Sequence, residues 1–230
     1  MAYFNIDQLA PVLGLQTQQI QRMAEREQIP AQKVGGEWRF SRKGVLEWIQ
    51  NKIGEAGDQE LKELEKSCEI LAQGLQDIPL SDLIFPEAIK IPLTARSQGA
   101  IVREMVEVAM GTNLLWDNKA MEEAVLSREN MYPTAMENGV ALLHPRHPMA
   151  DILGDPFIAF GRVRGGVYFA TNGIPSDIFF LICSVDDTQH VRTLARLSRM
   201  INAPEFLSEL RLIEEPKDVV KLIRQTEESL

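Results

Sequence analysis

The residues best able to do chemistry are three histidines. Two of them, His144 and His147, lie in the stretch Gly139 to Asp151, GVALLHPRHPMAD, at the end of an apolar run and between prolines. The third, His190, follows Asp186 and Asp187, where the apolar run DIFFLICSV gives way to helical spacing. Near neutral pH an imidazole can exchange a proton, ligate a metal or attack an electrophile. Three readings are open. Each ring can be a hydrogen-bonded structural residue. Three imidazoles can hold zinc, but the proline-bounded HPRH cannot be a helical ligand pair and no acidic residue keeps ligand spacing. The third reading is phosphohistidine chemistry, in which one ring attacks a phosphoryl group while a second imidazole and a guanidinium steady the oxygens. The helix start around His190 favours a neutral ring, because the N-terminal end of a helix disfavours a cation.

The elements that must position these rings belong to a chain of 230 residues, 45% apolar and 25% charged, enough to bury one large core or two unequal ones. No apolar run approaches the ~20 residues a membrane-spanning helix needs, and the N-terminus lacks a basic-then-apolar leader, so a cytoplasmic protein without membrane insertion is expected. Cys68 and Cys183 show no CxxC spacing and are expected to be buried, reduced thiols, with neither a metal nor a cofactor implied. The net charge of −9 is uneven: residues 1–54 hold seven basic and five acidic side chains, a net +2 that leaves −11 for the remainder. A mildly basic head on an acidic body fits a small nucleic-acid reader joined to a second domain.

In the head, NIDQLAPVL predicts a helix stopped by Gly14, and LQTQQIQRMAERE a second helix that buries Leu15, Ile20 and Met23 and turns Gln18, Gln21, Arg22 and Arg26 outward. Gly35 and Gly36 separate two short alternating stretches in the manner of a two-residue hairpin. Ser41 then caps a third helix carrying Val45, Leu46, Trp48 and Ile49. This is a winged helix-turn-helix outline, and residues 3–50 resemble the excisionase/MerR-like DNA-binding module. The resemblance implies that the second helix enters a major groove, with Gln18, Gln21 and Arg22 reaching base edges and Lys33, Arg39, Arg42 and Lys43 holding phosphates.

Gly54 to Gly57 reads as a hinge. Beyond it Leu61, Leu64, Cys68, Leu71, Leu75 and Ile78 recur at three- and four-residue spacing. Such a seam is buried either against a second copy in a short coiled coil or on its own chain. A homodimer is the preferred expectation, since helix-turn-helix readers commonly bind two half-sites. From about Leu80 helices and strands alternate. SQGAIVREMVEVAMG, NKAMEEAVLSREN and DDTQHVRTLARLSRMI are predicted helices; GVALLH, FIAFGRV, GVYFAT and DIFFLICSV are predicted strands. The expected class is mixed α+β: a winged helix-turn-helix domain over residues 1–54, a helical linker over 55–79, and an α/β domain with a mixed sheet flanked by helices over 80–230.

SRENMYPTAMENGVALLH resembles the segment that leads to the phosphorylated histidine in IIA domains of the mannitol/fructose-type bacterial sugar phosphotransferase system. Arg128, Glu129, Thr134, Asn138, Gly139, Ala141 and His144 stand in the family's register, and the stretch from Asp177 to Ile201 resembles its apolar strand, acidic loop, second histidine and helix. The resemblance implies that His144 takes a phosphoryl group from the histidine phosphocarrier protein. It implies too that His190 bonds the phosphate or orients the ring, that Arg128 fixes a positive charge near the oxygens, and that Thr134 donates a further bond. Leu143 and Pro145 replace the family's usual Pro and Gly, and Ala135 and Glu137 replace usual glycines; Arg146 and His147 add positive potential at the rim. The expected function is a DNA-binding regulator controlled by phosphorylation. The alternatives are a phosphocarrier serving a sugar permease and a IIA-like binding module without phosphotransfer.

Overall fold

The computed structural model describes residues 2–54, 56–170 and 173–230. Glu55, inside the expected hinge, and Thr171, at the end of the predicted strand GVYFAT, lie outside the described residues. In chain order the elements are β1 (Tyr3–Phe4), α1 (Ile6–Leu13), α2 (Thr17–Glu25), β2 (Gln32–Val34), β3 (Glu37–Ser41), α3 (Arg42–Ile53), α4 (Asp58–Leu71), α5 (Leu80–Leu83), β4 (Ile89–Leu93), α6 (Gln98–Met110) and α7 (Asn118–Met131). They continue with β5 (Val140–Leu143), β6 (Phe157–Val167), β7 (Ser176–Cys183), α8 (Asp187–Ile201), α9 (Phe206–Leu212) and α10 (Pro216–Ser229). The chain forms two compact units. One is Met1–Gln76 with Asp187–Arg199; the other is Asp77–Asp186 with Met200–Leu230.

In the first unit, Asn5 and Gln8 exchange side-chain-to-backbone bonds of 3.0 and 2.9 Å and so start α1 with a reciprocal cap. Val34 pairs with Glu37, so Gly35 and Gly36 are the whole hairpin loop. Their φ angles of +61° and +88° are the ones that a twisted two-residue turn demands and that side chains resist. β1 lies on the other side of β3. Ser41 Oγ accepts the Gly44 N–H at 3.1 Å, which starts α3 at the residue its sequence predicts. Leu9, Ile20, Phe40, Val45 and Ile49 form the buried centre. Leu15 and Met23, expected inside, are only half-buried, and α2 sinks Ile20 and Ala24 instead.

The linker departs from the coiled-coil expectation. α4 ends at Leu71, leaving Leu75 exposed and Ile78 half-buried outside it. The rest of the seam, Leu61, Leu64, Cys68 and Leu71, is buried within the chain, α4 packing on α1 and α3. Covering these side chains by neighbours in the same chain removes the apolar surface that a second copy was expected to cover.

In the second unit the sheet order is β4-β6-β7-β5, with β4 parallel to β6, β5 parallel to β7, and β6 antiparallel to β7. All four residues of β5 are buried, as befits a strand covered on both faces. Against one face α6 and α7 pack Ile101, Val102, Met105, Met121 and Val125 onto Ala141, Leu143, Phe157, Phe179 and Leu181. The predicted strands FIAFGRV and GVYFAT are not two strands. β6 runs on from Phe157 to Val167, and its register with β7 shifts between Arg162 and Val167. A glycine pair at 165–166 therefore bends one strand where a break between strands was expected. β4, α9 and α10 are additional; β4 carries Pro92 and takes the sheet edge, where a missing N–H is tolerated.

Candidate functional site

The site grows from the last turn of α7. Glu129 is buried, and its carboxylate accepts the Thr134 N–H at 3.0 Å together with a short bond from the Thr134 hydroxyl. Burial pushes the Glu129 carboxyl above its ordinary range, against the opposing pull of those bonds and of Arg128. Arg128, half-buried, donates through Nη1 to the Tyr132 carbonyl. Its affinity for the proton is lowered first by burial and then by the Arg146 guanidinium, with Glu129 opposing. Arg128 and Arg146 thus act on one another, and the guanidinium charge persists at any working pH. Two guanidinium groups in one another's field, with Glu129 acting on Arg128, leave an excess of positive potential suited to an anion.

The loop next makes a tight turn. Met136 N–H donates to the Val140 carbonyl at 2.8 Å, and Ala135 bridges to Ala141. Arg211 clamps this turn, donating to the Asn138 carbonyl at 2.7 Å while gripping Asp177 through two bonds of 2.7 and 2.9 Å. Gly139 has φ +86°, and a Cβ there would stand 2.9 Å from Asp177 Oδ1 and 3.0 Å from Arg211 Nη2. The backbone N–H groups of Asp177 and Ile178 both donate to the Gly139 carbonyl, which sets Val140 opposite Ile178. With register fixed at its start, β5 delivers His144 one residue past its end.

His144 is buried, and its Nδ1 lies 2.8 Å from the Leu142 carbonyl oxygen. A carbonyl only accepts, so Nδ1 carries the hydrogen, and whenever the ring is neutral the lone pair is on Nε2. That is the tautomer a nucleophilic imidazole needs. Beyond it Pro145 is buried, Arg146 exposed and His147 half-buried.

The remaining expected residues are distributed as follows. His190 is buried in the first turn of α8, within the first compact unit. Thr134, expected to donate to a phosphate, gives its hydroxyl hydrogen to Glu129. In the reader, Gln18, Gln21 and Arg22 are exposed on α2, with Gln21 also donating to Glu25 at 2.9 Å. The Lys33 ammonium lies 5.5 Å from the Trp38 ring centre, Arg39 pairs with Glu37 at 3.2 Å, and Lys43 is exposed. Arg42 is spent inside the unit, donating to the Leu71 carbonyl and to Thr188 Oγ1. Among the described residues no three His, Cys, Asp or Glu side chains gather as a metal ion requires. Sequence reasoning missed the anchoring role of Glu129, which it read only as Arg128's neighbour in the motif, and missed Asp177 and Arg211 altogether. Arg211 stands 73 residues from the carbonyl it clamps, and no local pattern signals such a pairing.

Residues 82–226 match the family described as "Phosphoenolpyruvate-dependent sugar phosphotransferase system, EIIA 2". The chain belongs to that family. Ahead of the EIIA 2 domain, residues 3–52 match a helix-turn-helix domain. Among curated relatives, the "PTS system fructose-specific EIIABC component" of Bacillus subtilis (strain 168) is 29% identical over 149 residues, covering 64% of this chain and 23% of that protein. The chain therefore spans under a quarter of that relative's length. A "Nitrogen regulatory protein" of Bradyrhizobium diazoefficiens is 27% identical over 150 residues, covering 64% of this chain and 95% of the relative. Among solved structures, the nitrogen regulatory protein IIA-Ntr of Neisseria meningitidis superposes with a TM-score of 0.56 at 18% identity, covering 62% of this chain and 97% of its own. That likeness shows the EIIA fold. Among the described residues, no helix is long and apolar enough to cross a membrane.

Proposed function

We propose that the chain is a DNA-binding regulator whose EIIA 2 domain is phosphorylated on Nε2 of His144, and that the phosphorylated and free forms differ in DNA affinity. The observation that carries the reading is the His144 ring itself, its Nδ1–H held by the Leu142 carbonyl at 2.8 Å, which in the neutral ring puts the lone pair on Nε2. In the transfer, that lone pair attacks the phosphorus of a phosphohistidine donor, the histidine phosphocarrier protein. The donor's P–N bond breaks, its electron pair returns to the donor ring, and the new bond forms at His144 Nε2. The proton stays on Nδ1, donated in a hydrogen bond to the Leu142 carbonyl. Arg128 and Arg146 supply the charge that steadies the oxygens, and Arg146 offers donors where Pro145 removes a backbone N–H. His190 is the second imidazole by its place in the family pattern. His147 is a rim residue.

The DNA side is of excisionase/MerR type, with Gln18, Gln21 and Arg22 on the exposed face of α2 as base readers and Lys33, Arg39 and Lys43 as phosphate contacts. Family membership and the preceding helix-turn-helix match support pairing the two activities in one chain.

The test is labelling by phosphoenolpyruvate through the general phosphotransferase proteins. An acid-labile, base-stable label is expected on the wild type and absent from His144→Ala, with labelling of His190→Ala slowed by roughly a hundredfold, the scale of one lost transition-state group. A stable protein that takes no label is a binding module, and the reading fails. Efficient passage of the label to a permease IIB domain makes the chain a carrier instead.

A further inference from the structure

We infer that Arg211 is a positioning residue for His144: from α9 it fixes the register of β5, and the register decides which carbonyl the His144 ring meets. The consequence for rate rests on the phosphorylation proposed above; the consequence for the tautomer does not.

Strand register is ordinarily written in the alternation of apolar and polar residues, because a slip of one position turns every side chain to the other face. β5 carries no such alternation. Val140, Ala141, Leu142 and Leu143 are apolar and buried, and so are Ile178, Phe179, Phe180 and Leu181 opposite them. β5 also ends the sheet, in the order β4-β6-β7-β5. Four residues at an edge, apolar on both faces, need their register set from outside the strand.

α9 supplies that constraint. Arg211 Nε and Nη2 hold the two carboxylate oxygens of Asp177, the second residue of β7, and Nη2 also donates to the Asn138 carbonyl two residues before β5. Asp177 in turn donates its own N–H to the Gly139 carbonyl at 2.9 Å. α9 is itself bolted to the sheet. Arg162, a buried residue of β6 opposite Ile178, donates through Nη1 to the Leu210 carbonyl at 3.3 Å and to the Arg211 carbonyl. These are groups that the last turn of a helix leaves unpaired. Arg162 thus ties α9 to an inner strand, and Arg211 passes that position on to the edge strand.

Register reaches the ring through carbonyl direction, since carbonyls alternate sides along a strand. The Gly139 carbonyl points to β7, where Asp177 and Ile178 donate to it, and the Val140 carbonyl points away and accepts from Met136. Leu142, two residues on, aims its carbonyl away from β7 as well, where it meets the His144 Nδ1–H at 2.8 Å. A slip of one residue would turn the Leu142 carbonyl towards the β7 ladder and carry His144 to the other face of the sheet. The ring would lose the acceptor that keeps the hydrogen on Nδ1.

The experiment records long-range proton–nitrogen spectra of the full-length chain with isotope-labelled histidine, above the ordinary imidazole pKa of about 6.5. The His144 signals are assigned by their loss in His144→Gln. Labelling rates from phosphoenolpyruvate through the general phosphotransferase proteins are measured on the same preparations. The proteins are wild type, Arg211→Gln, Arg211→Lys and Glu227→Gln. Glu227 accepts the Leu80 and Ser81 N–H groups at 2.6 and 3.1 Å, so its loss weakens the same compact unit without touching the clamp. Wild type should show His144 as the Nδ1–H tautomer alone. Arg211→Gln should show both tautomers and label about a hundredfold more slowly at saturating donor, the scale of a displaced reacting group, with half-saturation by the donor unchanged. Arg211→Lys keeps a cation for Asp177 but not the three bonds, and should fall between; it carries the comparison if Arg211→Gln does not fold. Glu227→Gln should keep the wild-type tautomer and rate. Arg211 variants that melt lower yet keep the wild-type tautomer and rate overturn the inference, as does a Glu227→Gln that disturbs both equally. A wild type that takes no label removes the proposed function alone, and the tautomer spectra still decide the role of Arg211.

Discussion

Replacing Gly139 by alanine tests how the turn before His144 is built. The backbone there has φ +86°, a region that costs an L-residue about 1–2 kcal/mol. The new Cβ would also stand 2.9 Å from Asp177 Oδ1 and 3.0 Å from Arg211 Nη2, so the ion pair must open or the turn must move. Arg211 then weakens its hold on Asp177 and on the Asn138 carbonyl, bonds that involve charged groups and contribute about 1.5–3 kcal/mol each. With one such bond lost, the two effects together predict a loss of about 2.5–5 kcal/mol, or roughly 5–20 °C in melting temperature for a chain of this size. The discriminating assay is a double-mutant cycle by urea unfolding. In an Asp177→Ala background the clamp is already broken, so Gly139→Ala should cost only its backbone share, and the coupling should be about 1.5–3 kcal/mol. A cost that is the same in both backgrounds to within about 0.5 kcal/mol would refute the clamp as the reason for glycine.

Two further outcomes follow from buried titratable groups. Burial raises the Glu129 carboxyl above its ordinary value of 4.5, so the folded chain binds that proton more tightly than the unfolded one. Its stabilising contribution is complete below the unfolded value and is lost as pH rises through the folded one. The stability of wild type relative to Glu129→Gln should therefore fall as pH rises above the ordinary value of 4.5, with a slope that does not exceed about 1.4 kcal/mol per pH unit; urea unfolding that gives a constant difference contradicts this. Burial pushes the Cys68 thiol up to about 12 and raises Cys183 as well. Neither should react with an aromatic disulfide reagent at pH 8 in the native chain, and both should react in guanidinium; rapid native labelling of either contradicts the burial.

Much of the reader and of the strand that delivers His144 is legible in the chain. Ser41, the Gly35–Gly36 pair and Asn5 act on backbone groups within three residues of themselves, so their signals are local. Helical spacing outlines α6, α7 and α8 to within a residue or two for the same reason. Where a local signal has two physical outcomes, sequence alone does not choose between them. The glycines at 165–166 lie within one strand where two were expected, and the seam of α4, which could face a second copy or its own chain, is buried on its own chain.

What the sequence determined, then, is the residue types at the site, the periodicities that build each element and the family pattern that orders them. Tertiary structure alone decided that Glu129 holds Thr134, that Arg211 clamps the turn at Asn138, and that Arg196 and Arg199 reach carboxylates 127 and 134 residues away. It also decided that Arg42 faces inward. The physical reason is that a charged side chain carries no local mark of its partner. The partner is set by which helices and strands pack together, and that packing is fixed by burial summed over the whole unit.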